Sequence, residues 1–112
     1  MSATDEQTGD AAATALQRTA LDALRGVVDP EMALNIVDLG LVYGIDVAAD
    51  AVHVRLTMTS AACPVTDVIV EEVETELDRV LPPELQIRVE LVWEPPWSAK
   101  RMSESARRFM GW

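Results

Sequence analysis

Residues 52–80 read VHVRLTMTSAACPVTDVIVEEVETELDRV, and the hydrophobic period changes once within them. Val52, Val54, Leu56 and Met58 alternate with His53, Arg55, Thr57 and Thr59, the spacing of a strand with one buried face. Beyond Pro64, the residues Val65, Val68, Ile69, Val73, Leu77, Val80 and Leu81 recur at three and four, which predicts a helix over residues 64–81. Pro64 suits its first turn, where the N–H that proline lacks would have no intrahelical acceptor. Cys63, the only cysteine of the chain, then falls at or next to the N-cap. Unpaired backbone N–H groups and the positive end of the helix dipole favour thiolate over thiol at such a place.

Outward from this stretch the chain punctuates itself clearly. Leu41, Tyr43, Ile45 and Val47 alternate as a strand, and Ala48 to Ala51, with Asp50 as turn former, folds it back into the strand ending at Met58 as a β-hairpin. Further upstream, Leu16, Ala20, Leu24, Val27 and Val28 mark an amphipathic helix from Ala13, weakened at Gly26 and stopped by Pro30. Residues 29–40 mix breakers and apolar residues without a period and read as an ordered loop. Residues 1–12 are small, polar and aperiodic, and are expected to be disordered ahead of a domain spanning 13–112. Downstream, Pro82-Pro83 ends the central helix, and Leu85, Ile87, Val89 and Leu91 alternate as a third strand. A tail follows, with Trp93-Glu94-Pro95-Pro96-Trp97 and a short helix over Ser103 to Met110 for which Ser103 is the N-cap. The order helix, strand, strand, helix, strand plus this tail predicts a single two-layer α+β domain with helices on one face of a small sheet.

Composition narrows the function. With 112 residues, 49% of them hydrophobic, the chain can bury one core without staples. A lone cysteine makes no internal disulfide, the polar acidic start is unlike a secretory signal, and no apolar run would span a bilayer, so a cytoplasmic protein is expected. The net charge of -10 argues against nucleic acid and anionic membranes as partners. Four of the nine basic residues fall in 100–112, which makes the tail a cationic feature on an acidic body. No glycine-rich phosphate loop is present, and no histidine lies near Cys63 in sequence to act as its base, so the chain does not read as an enzyme.

Each candidate residue carries two readings. Cys63 is either a reactive sulfur on a strand-to-helix turn or a small buried hydrophobe. Asp29-Pro30-Glu31 is either part of a site or a helix stop with a capping carboxylate. Asp38, before Leu39-Gly40, reads as a turn former, and the acidic residues of the central helix as a solvated face. Trp93 and Trp97 are expected to clamp the tail over the sheet. His53, alone on the polar face of its strand, is a poor metal ligand.

Four motifs in order, Asp29-Pro30-Glu31, Asn35-Ile36-Val37-Asp38-Leu39-Gly40-Leu41-Val42-Tyr43, Met58-Thr59-Ser60-Ala61-Ala62-Cys63-Pro64, and Trp93-Glu94-Pro95-Pro96-Trp97 followed by Arg101-Met102-Ser103, resemble the SufT/PaaD-like domains. That family was long filed as domain of unknown function fifty-nine and includes the eukaryotic cytosolic iron-sulfur targeting factor. The resemblance covers Ala13 to Trp112 and implies an iron-sulfur-cluster-assembly fold and a role in maturing iron-sulfur proteins. It also implies a cofactor site built from Asp29, Glu31, Met32, Thr59, Ser60 and Cys63, with Cys63 as the metal ligand. Ala61-Ala62 departs from the proline or glycine that many members place before the cysteine, and the Cys-rich extension of the PaaD branch is absent. One sulfur per chain cannot by itself hold a cluster that normally takes four ligands, mostly thiolates. The expected role is thus transient handling of iron or an iron-sulfur cluster, with apo-proteins, assembly scaffolds or a second protomer as partners. The alternative is an adaptor that docks apo-clients or a scaffold ATPase while Cys63 is structural.

Overall fold

The computed structural model describes residues 2–60 and 65–112, with side chains from Ala12 onward. In chain order the elements are α1 (Ser2–Leu24), the two-residue strands β1 (Val28–Asp29) and β2 (Leu34–Asn35), β3 (Val42–Val47), β4 (Ala51–Leu56), α2 (Thr66–Val80), β5 (Gln86–Leu91), a 3-10 turn at Ala99–Arg101, and α3 (Glu104–Met110). The main sheet has the order β3-β4-β5, with β3 antiparallel and β5 parallel to β4. Parallel neighbours need a crossover, and α2 supplies it.

The expected α+β architecture is present. Val52, Val54 and Leu56 of β4 are fully buried against Ala20 and Leu24 of α1 and Ile69, Val73 and Leu77 of α2. Each of the larger side chains contributes on the order of 2 kcal/mol by leaving water. The opposite face of the sheet is polar, with His53 Nε2 2.8 Å from Glu90 and Arg55 3.3 Å from Asp46. No helix among the described residues is long and apolar enough to cross a membrane.

Several elements depart from the reading of the sequence, each for a local reason. α1 ends at Leu24, and Val27 is buried as the chain turns, whereas Val28 lies in β1 and is exposed. At its other end the helix extends back to Ser2, beyond the expected start at Ala13. Val68, in the predicted apolar stripe of α2, is 48% exposed, because the buried ridge is the narrower set Ile69, Val73 and Leu77. In β3 the register slips between Val42 and Gly44, so Tyr43 is an extra residue. The bulge lets Val42, Ile45 and Val47 pack on the core while Tyr43 leaves it. At Gly44 a Cβ would meet the Arg55 guanidinium that lies over it toward Asp46, so a larger residue there would displace that side chain.

Candidate functional site

β4 and β5 run side by side, and the chain that leaves β4 at Leu56 re-enters regular structure at Thr66. The connection therefore starts at the carboxyl ends of two parallel strands, the position where open α/β sheets present ligand-binding loops. Its described residues are held firmly at first. Thr57 N–H donates to the Leu41 carbonyl at 2.8 Å, and Thr57 and Met58 are buried. Thr59 is half-buried and Ser60 exposed. Thr57 is only 1% exposed, yet its hydroxyl has no hydrogen-bond partner among the described residues.

Cys63 and Pro64 lie outside the described residues. The expectation that Cys63 falls at or next to the N-cap therefore lies outside them too; the described helix begins at Thr66, with Val65 as an N-cap that makes no side-chain capping bond.

The Asp-Pro-Glu loop splits its two carboxylates. Asp29 is 1% exposed, and its Oδ1 accepts the Glu31 N–H at 2.9 Å while its carbonyl accepts Met32 N–H at 3.2 Å and Ala33 N–H at 2.8 Å. A buried carboxylate satisfied by its own turn has the capping role that the sequence allowed it. Glu31 is exposed and Met32 packs partly on the core, so of the two carboxylates only Asp29 is buried. A relay of backbone bonds joins this loop to the connection after β4. Ile36 N–H donates to Val27 O at 2.9 Å, Leu41 N–H to Ile36 O at 3.0 Å, and Thr57 N–H to Leu41 O. Asp38 is the turn former expected, its N–H donating to Asn35 Oδ1 at 2.9 Å and its carboxylate accepting from Asn35 Nδ2 at 2.8 Å.

The tail locks the same loop from outside. Trp97 Nε1 donates to Leu39 O at 2.7 Å, Ser103 N–H to Asp38 O at 2.7 Å, and the Tyr43 hydroxyl to Pro95 O at 2.7 Å. Arg101 stacks its guanidinium 4.5 Å above the Tyr43 ring. Gly40, at φ 77°, lies against the Arg101 backbone, where any Cβ would collide. Ser103 caps α3 as expected, accepting from Ala106 N–H at 3.1 Å. Of the two tryptophans expected to form the clamp, Trp97 does so and Trp93 is 43% exposed. Gly40 and Arg101 stood within the family motifs, and Thr57 within the strand alternation, without a role of their own, because each matters through a contact with a residue distant in the chain. Among the described residues, no three His, Cys, Asp or Glu side chains gather closely enough to hold a metal ion.

Comparison with known proteins places these features in a family. The model of the iron-sulfur cluster assembly protein family matches residues 17–91, from the packed half of α1 to the end of β5. The Fe-S protein maturation auxiliary factor YitW of Bacillus subtilis is 42% identical over 98 residues, covering 87% of this chain and 95% of YitW. The Fe-S protein maturation auxiliary factor SufT of Staphylococcus aureus is 41% identical over 87 residues, covering 76% of this chain and 97% of SufT. The crystal structure of a domain of unknown function, DUF59, from Bacillus anthracis superposes with a TM-score of 0.85 at 36% identity, covering 91% of this chain and 97% of that one. The chain belongs to the iron-sulfur cluster assembly protein family.

Proposed function

We propose that this chain is a non-enzymatic cytoplasmic factor that assists the maturation of iron-sulfur proteins, with iron or a cluster as transient cargo at Cys63. The observation that carries the reading is its similarity, across nearly the whole length of both proteins, to relatives named as Fe-S protein maturation auxiliary factors. The site would comprise Cys63 as the soft ligand, Thr59 and Ser60 ahead of it, and Asp29, Glu31 and Met32 from the loop tied to it through Ile36 and Leu41. Asp29 acts there by holding the loop, and Glu31, being exposed, is the carboxylate free to meet cargo. A single cysteine thiolate leaves most ligand positions of a cluster to be filled by an apo-client, an assembly scaffold or a small thiol, which suits handover better than storage.

The test is Cys63→Ser expressed in cells lacking the native protein, with its fold verified by circular dichroism. Loss of iron-sulfur enzyme activity with an intact fold is expected, because serine retains hydrogen bonding but lacks the thiolate. Full restoration by a folded serine variant would refute the cargo role. The exposed acidic face of α2, with Glu71, Glu72, Glu74 and Asp78, favours in that case the second reading, an adaptor that docks clients or a scaffold ATPase.

A further inference from the structure

The two outer strands of the main sheet are finished differently. Over β3, Gln17 of α1 reaches across to donate to Ile45 O at 2.8 Å. β5 ends the sheet, and no strand among the described residues pairs with its outer edge. Gln86 N–H donates to Asp50 O at 2.9 Å and Val92 N–H to Leu56 O at 2.7 Å. Even-numbered residues of β5 therefore bond to β4, and the N–H and C=O groups of Ile87, Val89 and Leu91 point outward. Edge strands are normally blunted by proline, charged side chains or a bulge, and β5, reading QIRVEL in unbroken register, has neither proline nor bulge and carries one charge of each sign, Arg88 and Glu90.

We propose that β5 pairs antiparallel with β5 of a second copy of this chain, about a two-fold axis through Val89. Charge selects the register. Side chains opposite one another must share a face, which leaves three central alignments. An axis at Arg88 sets arginine against arginine, and an axis at Glu90 sets glutamate against glutamate. With the axis at Val89, Arg88 faces the partner's Glu90 and Glu90 faces the partner's Arg88. In the same alignment Ile87 meets the partner's Leu91 beside the groove that Glu74, Asp78, Leu85 and Ile87 line between α2 and the edge. One step further along, Leu85 comes opposite the partner's Trp93. This gives cover to a tryptophan that is 43% exposed in the single chain, and buried tryptophans at such positions dominate interface energies.

The pairing keeps the two candidate sites apart. Leu56 and Val92 mark one end of the parallel pair, and the two-fold axis sends the corresponding ends of the two protomers in opposite directions. The dimer therefore presents one such end at each extremity, so the proposal stands independently of the cargo reading.

Sedimentation of the full chain over micromolar to millimolar concentration tests it. The mass is expected to rise with concentration from 12.2 kDa towards twice that value. Arg88→Glu and Glu90→Arg should each weaken the dimer by about tenfold or more, since both create like-charge pairs across the axis. The double variant R88E/E90R should restore it, and so should an equimolar mixture of the two single variants, in which each charge again faces its opposite. Val89→Pro should remain folded, because its N–H takes no part in the β4 ladder, and should be monomeric. A wild-type chain that stays at 12.2 kDa throughout, or a dimer whose affinity is unchanged by R88E, would overturn the proposal.

Discussion

Gly40→Ala measures how strongly the tail is clamped to the loop beneath it. At φ 77° an alanine costs on the order of 1 kcal/mol more than glycine before any contact is considered. Its Cβ would also lie 2.7 Å from the Arg101 carbonyl carbon and 2.8 Å from Arg101 Cβ, nearer still to the carbonyl oxygen. These are mostly backbone atoms, so no rotamer change relieves the overlap. The tail must lift. Lifting it sacrifices the Trp97 bond to Leu39 O and the Ser103 bond to Asp38 O, each worth about 1 kcal/mol net, and re-exposes Met102, worth about 2 kcal/mol. Partial adjustment would recover some of this, so a total loss of roughly 3–5 kcal/mol is expected. Gly111→Ala is the matched control: its φ is 75°, and nothing lies within 4 Å of the added Cβ, so it isolates the backbone term of about 1 kcal/mol. Urea unfolding gives both differences, and hydrogen exchange at the Ser103 amide reports tail docking directly. If the two variants lose equal stability and Ser103 exchanges no faster in G40A than in the parent, the clamp has been misread.

Thr57→Val removes a buried hydroxyl that has no partner among the described residues and keeps the shape, so urea unfolding should show a gain of about 1 kcal/mol. A loss would mean that the hydroxyl is bonded in solution. Asp29→Ala strips the Glu31 N–H of its acceptor inside a buried turn and should cost about 1–3 kcal/mol, whereas Glu31→Ala, at an exposed position, should change stability by less than about 0.5 kcal/mol. Denaturation midpoints of the pair test the division of roles between the two carboxylates. The Cys63→Ser complementation described above completes the set.

Period and punctuation carried much of this fold. The alternation Val52-Val54-Leu56-Met58 and the ridge Ile69-Val73-Leu77 are buried as their spacing requires, and the α3 cap at Ser103 is where a hydroxyl before a helix belongs. Reading failed where a long-range contact overrode local pattern. Tyr43 looked like a core residue of β3, but the bulge made room for Arg55 above Gly44 and turned Tyr43 towards Pro95 and Arg101, more than fifty residues away. Val68 and Val28 satisfied a helical spacing, yet they are 48% and 45% exposed. That β5 lies parallel to β4 is equally invisible in the alternation of its side chains, which is the same for either direction. At the site, the capping geometry of Asp29 was one of two readings of Asp-Pro-Glu, and it becomes visible only in the bond from Glu31 N–H.

The clamp over Gly40 also bears on the order in which a growing polypeptide acquires its parts. A nascent chain that has emerged as far as Leu91 contains every strand of the main sheet and both helices that cover it. It does not yet contain Pro95, Trp97, Arg101 or Ser103, the residues that fasten Asp38, Leu39, Gly40 and Tyr43. Domains fold as they are synthesised, N-terminal parts first. The sheet can thus be assembled while the loop that backs Thr57 is still unfastened, and translation of residues 95–103 sets that loop in place afterwards.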